Sequence, residues 1–394
     1  MSSIGGHFGP SAVELAERVL QRNWVEGVRD GVPFAYTRPS PGRYPWQWYW
    51  DSCFAAIVWR RFEPARAQAE LETLLAAQRE DGFIGHTVFW EGPVSLSRLP
   101  IYNVASRRAL QTGTIQPPLL AWAWRLAVGD PSDEPRIGAQ ADWLTAHRDL
   151  EGDGLLWIVQ PDESGLDASP KFDPVWGRRA CARIGFPLLV RRNRRLGWDA
   201  RRIRDRGGPV LCETVVNTLW SLSLQALGRP SVTPALLDRL WDERRGLFID
   251  EVQPRGARPS IVTWASLAPL ALPDLPEAIG RRMVEEHLLD EGEFLTPIAP
   301  PSVAASEPSY EPGGSGPVRR YWRGPVWVNA AWLLWLGLRR LGYAEAAARI
   351  ARGILGAVER EGLREYYDPR TGAGLGAHDF AWSALVAELA DPYL

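Results

Sequence analysis

At 394 residues the chain is long enough for about two or three average domains or for one large barrel. Its formal net charge of −2 argues against a nucleic-acid binder, which usually needs a clustered basic surface, and no run reaches the roughly 18 apolar residues of a membrane span. The segment 1–7 has no charged stretch followed by an apolar run, so no signal peptide is expected and the protein reads as cytoplasmic.

The first helix is expected from Ser11. Ser11 and Glu14 form a capping-box pattern there, and Val13, Leu15, Val19, Leu20 and Trp24 share one side. Further helices are expected near 51–62, 64–79, 117–128, 134–148 and 180–197. A second set follows near 213–228, 234–243, 260–271, 276–289, 326–341, 345–360 and 381–390. Pro234 suits the first position of its helix. Between helices a phrase recurs, a charged residue, then Gly, then apolar residues: Asp81-Gly82-Phe83-Ile84, Asp153-Gly154-Leu155-Leu156 and Arg245-Gly246-Leu247-Phe248. Weaker copies begin at Glu291 and Glu361. The glycine is expected to end a helix in the left-handed conformation, and the apolar residues to start a short extended segment.

About a dozen helices paired in this way close most naturally into an all-α (α/α)6 barrel, a toroid of six inner and six outer helices. No Gly/Ser linker divides the chain, so residues 1–394 read as one catalytic domain. Long loops at 87–115, 154–177 and 295–325 argue against an open solenoid, because such loops in a compact domain are usually functional. Loops 87–115 and 295–320 are expected to act as lids.

Twenty tryptophans stand out. Many lie beside Gly, Pro and Asp, where a flat ring with a free N–H suits a sugar, whereas Trp220, Trp241 and Trp335 read as core. Cys53, Cys181 and Cys212 are far apart, and His7, His86, His147, His287 and His378 form no close pair, so neither a disulfide framework, a metal site nor a cofactor is expected. Lys171 is the only lysine, which points to a GC-rich genome or a hot habitat.

Four segments carry chemistry. In Tyr44-Pro45-Trp46-Gln47-Trp48-Tyr49-Trp50-Asp51, five aromatics cannot all be buried on one helix face, so some should line a cavity. Asp51 reads either as the N-cap of the next helix or as an acceptor for sugar hydroxyls. In the second, Asp162, Glu163 and Asp167 crowd a Gly- and Pro-containing loop, where repulsion should leave one carboxyl protonated unless the loop is simply solvated. The third, 319–327, supplies Tyr321, Trp322 and Trp327 as stacking faces and Arg323 as a cation. The fourth puts Glu365 on a short extended segment before a Gly-rich loop. Two carboxylates from distant loops meeting at one end of a barrel would suit glycoside hydrolysis, one as acid and one activating water.

Together these segments resemble glycoside hydrolase family 63 over nearly the whole chain, and in their length the compact bacterial branch of mannosylglycerate and glucosylglycerate hydrolases. The resemblance implies an (α/α)6 fold and inverting α-glycoside hydrolysis. It assigns the general acid to Asp167 in Glu163-Ser164-Gly165-Leu166-Asp167 and the general base to Glu365 in Glu365-Tyr366-Tyr367-Asp368-Pro369. It also implies a sugar pocket built from Tyr44, Trp48, Trp50, Asp51, Gln116, Tyr321, Trp322 and Trp327. A glycerate carboxylate calls for a cation, and the arginine-rich run 201–206 offers Arg204 or Arg206.

The expected partner is therefore a small glycoside, 2-O-α-mannosylglycerate, with glucosylglycerate or a short α-glucoside as the alternative. The sequence leaves oligomeric state open, a homo-oligomer included. A reading of a different class is a sugar epimerase or isomerase on a helical toroid; the scarcity of histidine in the aromatic loops counts against it.

Overall fold

The computed structural model describes residues 11–177, 185–313 and 322–391, and these are mostly helical. Helix α1 (Ala12–Asn23) opens on the expected box: Ser11 Oγ accepts from the Glu14 N–H while the Glu14 carboxylate accepts from the Ser11 N–H. The chain then makes a hairpin that the helical reading overlooked. Strands β1 (Trp24–Arg29) and β2 (Val32–Thr37) pair antiparallel, with Trp24 opposite Thr37. Asp30 and Gly31 turn between them at φ of 51° and 83°, the double left-handed geometry that matches strand twist and that Asp-Gly favours.

Strand β3 (Gln47–Trp48) runs directly into α2 (Tyr49–Trp59), which is followed by α3 (Pro64–Ala76), β4 (Thr87–Val88), α4 (Leu120–Ala127), α5 (Pro135–Arg148) and β5 (Trp157–Ile158). Next come α6 (Asp173–Trp176), α7 (Gly185–Arg195), α8 (Ala200–Asp205), β6 (Val210–Cys212), α9 (Thr214–Ala226) and α10 (Thr233–Leu240). Strands β7 (Trp241–Asp242), β8 (Leu247–Phe248) and β9 (Glu251–Gln253) precede a 3-10 helix at Trp264–Ala271 and α11 (Glu277–Met283). The last elements are α12 (Val328–Arg340), α13 (Ala344–Glu361), β10 (Arg364–Tyr367), β11 (Gly374–His378), a 3-10 helix at Ala381–Leu385 and α14 (Val386–Leu389).

Burial sorts these elements. Every residue of α2 and of these two 3-10 helices is buried, and α9 and α12 are nearly so; they are mostly apolar, and the polar side chains they carry, Asp51 among them, are buried as well. They touch in succession: α2 on α4, α4 on α9, α9 on Trp264–Ala271, that segment on α12, α12 on Ala381–Leu385, and Ala381–Leu385 back on α2. The amphipathic helices lie outside. In α13, Ala347, Ile350, Ala351, Ile354, Ala357 and Val358 face inward at helical spacing, and the opposite side meets solvent. α12 comes so close to Leu270 that a side chain at Gly337 would meet the Leu270 carbonyl at 2.6 Å.

Three expected helices take other forms; the stretch 381–390 is the 3-10 helix Ala381–Leu385 followed by the short α14. The stretch 260–271 is a 3-10 helix that starts only at Trp264 and contains Pro269, which has no N–H to give an α-helical bond. The stretch 276–289 begins as α11 and finishes in a π-helical turn, Val284–Leu288. In the recurrent phrase, Gly82, Gly154, Gly246 and Gly362 have positive φ but Gly292 does not, and of these Gly362 directly follows a helix. Among the described residues no helix is long and apolar enough to cross a membrane.

Candidate active site

The acid-rich loop leaves β5 through a 3-10 turn, Pro161–Ser164, and bends at Gly165, whose φ is 73°. A side chain there would lie 2.4 Å from the Trp50 ring, so only glycine lets this loop rest on that indole. Its three carboxyls have different surroundings. Glu163 is fully buried in a bidentate pair with Arg148 (2.7 and 2.6 Å) and also accepts from the N–H groups of Ile115 and Val159. Asp162 accepts from Asn103 Nδ2 at 2.5 Å and Gln160 Nε2 at 2.6 Å. Burial first, then the negative charge of Asp167, lift its pKa to about 8. Asp162 thus keeps its proton near neutral pH. Asp167 follows at the turn closed by the Ser169 N–H on the Leu166 carbonyl, 2.8 Å.

Glu365 lies on β10, where the pairing with β11 slips between Arg364 and Tyr366. Such a bulge re-aims one side chain. The Tyr44 hydroxyl donates to its Oε1 at 2.9 Å, the Ala377 N–H donates to Oε2 at 2.8 Å, and Arg43 Nη1 stands 3.4 Å from Oε2. Gly376, at φ 70°, lets β11 pass over this carboxylate: a side chain there would meet Oε2 at 2.6 Å.

Asp51 relates the two. The expectation that it caps α2 is corrected: the helix starts two residues earlier, with Trp48 at the N-cap position. It can start there because other loops take up its first N–H groups; Tyr49 donates to the His86 carbonyl at 3.0 Å and Trp50 to Gln116 Oε1 at 3.0 Å. Asp51 is therefore buried inside the first turn. Burial lifts its pKa well above the usual carboxylate range; its own N–H opposes this, and the charges of Glu365, Asp167 and Glu70 add to it. One carboxyl thus feels both Asp167 and Glu365.

Aromatic rings surround these groups. Tyr44 meets Trp48 and Phe380 edge-on at 5.8 Å, and Trp382 meets Trp50 at 5.3 Å and Trp327 at 5.5 Å. Trp327 stacks on Trp322 at 3.9 Å and 6° and touches Tyr366 at 4.8 Å. Among the described residues, the buried indole N–H groups of Trp48, Trp322 and Trp382 have no acceptor in the protein.

Other expected residues fall differently. Tyr321 lies outside the described residues. Arg323 is buried against Asp173 at 2.6 Å. Arg204 pairs with Glu151 at 2.7 Å, and Arg206 is exposed near Arg191, Arg192 and Arg195; no described contact joins either to Asp51, Asp167 or Glu365. Reading the sequence did not single out Arg43, which adjoins the first segment, or Trp382, which lies within the fourth (364–383) as a tryptophan next to a loop. His86 is buried against Trp48, and burial lowers its pKa to about 3. His378 is exposed. A histidine acid–base pair, which an epimerase would call for, is therefore not assembled by these two. No group of three or more possible metal ligands occurs among the described residues.

Residues 44–229 and 230–383 match the model of the mannosylglycerate hydrolase MGH1-like glycoside hydrolase domain. The chain belongs to that family. It is a glycoside hydrolase. It is 32% identical to the mannosylglycerate hydrolase of Thermus thermophilus, over 94% of this chain and 98% of that protein. A glucosylglycerate hydrolase of Mycolicibacterium hassiacum is 26% identical over 88% of this chain and 92% of its own length. Among solved structures, the family 63 mannosylglycerate hydrolase from another strain of Thermus thermophilus, in complex with Tris and D-glycerate, superposes with a TM-score of 0.79. The two share 30% identity, over 96% of this chain and 99% of that one.

Proposed function

We propose that this glycoside hydrolase releases mannose from 2-O-α-mannosylglycerate with inversion, on an (α/α)6 barrel, with Asp167 as general acid and Glu365 as general base. The observation that carries the reading is Asp51: a buried carboxyl that the charges of Asp167 and Glu365 both reach, though these two come from loops far apart in the chain. The aromatic lining and the unmatched indole N–H groups suit a sugar ring and its hydroxyls. The succession of six helical segments, five of them almost wholly buried and α4 on one side only, that returns to α2 supports the barrel.

In this mechanism Glu365, oriented by Tyr44 and the Ala377 N–H, takes a proton from water. The water oxygen bonds to the anomeric carbon from the face opposite the leaving group. Asp167 protonates the glycosidic oxygen as its bond to that carbon breaks, giving the β-sugar and free glycerate. Asp51 accepts hydrogen bonds from the sugar between them.

Proton NMR on separate samples of α-mannosylglycerate and α-glucosylglycerate tests this directly. Early appearance of β-mannose is expected. Early β-glucose alone would reassign the sugar, α-mannose as first product would overturn inversion, and release of neither sugar would overturn the substrate.

A further inference from the structure

The acid loop is tied down on both sides of Asp167 by buried ion pairs. Four residues before it, Glu163 locks onto Arg148. Four residues after it, Lys171 bridges Glu213 and, at 3.0 Å, Asp250. The side chains of Lys171, Glu213 and Asp250 are 4%, 0% and 5% exposed.

The partners of Lys171 are themselves fixed. Strand β6 pairs with β5 on one side and β9 on the other; Glu213 follows β6 and Asp250 precedes β9. So the strand that launches the acid loop belongs to the sheet that supplies the loop's far anchor. The second oxygen of Glu213 accepts from the Val216 N–H at 2.6 Å, as the N-cap of α9. Asp250 Oδ1 accepts from the Thr214 N–H at 3.0 Å and its hydroxyl at 2.7 Å. Neither carboxylate can follow a loop that shifts.

Composition points the same way. Of 45 basic residues, Lys171 alone is not arginine. A compact ammonium between two immobile carboxylates is a place where a planar, longer guanidinium does not substitute. Burial works against charge on Lys171, but Asp250 and Glu213 outweigh it and hold its pKa above the usual lysine range. Because desolvation offsets much of the attraction in a buried ion pair, the net gain in stability is small and geometry is what such a pair supplies.

We propose that Lys171 is a positioning residue for Asp167, holding the downstream end of the acid loop so that the carboxyl meets the glycosidic oxygen. This rests on the reading of Asp167 as general acid. Its signature is dependence on the leaving group. Departure of glycerate oxygen needs a proton, whereas fluoride departs from an α-glycosyl fluoride with little acid help.

The experiment compares kcat and KM for the α-glycosylglycerate that is hydrolysed and for the α-fluoride of the same sugar, in wild type, Lys171→Met, Lys171→Arg and Asp167→Asn. For Lys171→Met a loss of about 10²-fold in kcat is expected on the glycerate substrate, the scale of a misplacement near 1 Å. KM and fluoride turnover should stay near wild type, and Lys171→Arg should not rescue. Should Lys171→Met fail to fold, Asp250→Asn weakens the same bridge without changing its shape, and the same ratio of rates is read. Equal loss on both substrates, or none on either, overturns the proposal. A selective loss in Asp167→Asn with none in Lys171→Met or Asp250→Asn removes it alone. Absence of selective loss in Asp167→Asn removes the acid assignment together with it.

Discussion

Asp162 and Asp167 are five positions apart on one loop, and their surroundings ask different things of them. Asp162 is sealed among Asn103, Gln160 and His86 with its pKa near 8, so at neutral pH it is mostly an uncharged hydrogen-bonding group. An asparagine there keeps both shape and neutrality. We expect Asp162→Asn to retain kcat within about tenfold at pH 6. Asp167→Asn and Glu365→Gln should each lose about 10²–10⁴-fold, the usual share of general acid–base catalysis, while melting like wild type. Initial rates beside thermal unfolding curves settle it: a collapse in Asp162→Asn with Asp167→Asn still active would exchange their roles. The crowding of Asp162, Glu163 and Asp167 is legible in the sequence, but their division of labour is not. What separates them is Arg148 from α5 and Asn103 from a distant loop, and no local pattern announces either contact. Likewise the sequence offers Gln116 for the sugar pocket, while in the fold its oxygen accepts from the Trp50 N–H at the start of α2.

At the scale of elements, backbone shape aims the functional groups. Gly165 sits at φ 73° with the Trp50 indole 2.4 Å from where a Cβ would be. Gly165→Ala therefore combines left-handed strain with a clash against a fixed ring, and about 1–3 kcal/mol of destabilisation is expected. Because relief must come from the acid loop or from Trp50, kcat should fall as well. Gly31→Ala, also left-handed but with open space around it, should cost stability with no change in kcat. Denaturant melts and rates on the two variants separate strain from misplacement; full activity in Gly165→Ala would show that the loop need not rest on Trp50. The Asp30-Gly31 hairpin was legible in principle, since Asp-Gly between apolar runs is a strong turn signal. A helical reading carried Trp24 past it because Val19, Leu20 and Trp24 continue the period of α1. The bulge at Glu365 was beyond reach, because slippage of register depends on the partner strand and not on the residue that is re-aimed.

Across the whole molecule, alternation of buried and amphipathic helices could be read from periodicity, whereas the contact of α2 with Ala381–Leu385 joins the two ends of the chain and leaves no local trace. Closing the molecule that way has an electrostatic consequence, since it gathers buried carboxyls around α2. Burial raises the pKa of Asp51, lifts Asp162 to about 8 and lifts Glu70 to about 8; Glu70 is hydrogen-bonded by Ser52 at 2.5 Å and by the N–H and hydroxyl of Thr37 at 2.7 and 2.6 Å. A carboxyl whose pKa is raised on folding binds its proton more tightly in the native state. Stability from it is complete below the unfolded value near 4.5 and is lost as pH rises toward the folded value. His86 opposes this only up to about its unfolded value of 6.5, because its folded pKa is near 3. Carboxyls with lowered pKa values, such as the exposed Asp81 and the buried Asp368 beside Arg370, have finished titrating well below that. Between pH 6.5 and 8 the buried carboxyls therefore set the sign, and stability should fall with rising pH. Glu70→Gln removes one of them while keeping the contacts to Ser52 and Thr37. Its unfolding free energy should decline less steeply than wild type over that window, by on the order of 1 kcal/mol per pH unit. Urea melts at several pH values measure both slopes. Parallel slopes would mean that Glu70 is already ionised in the fold, with its charge carried by the hydrogen bonds from Ser52 and Thr37.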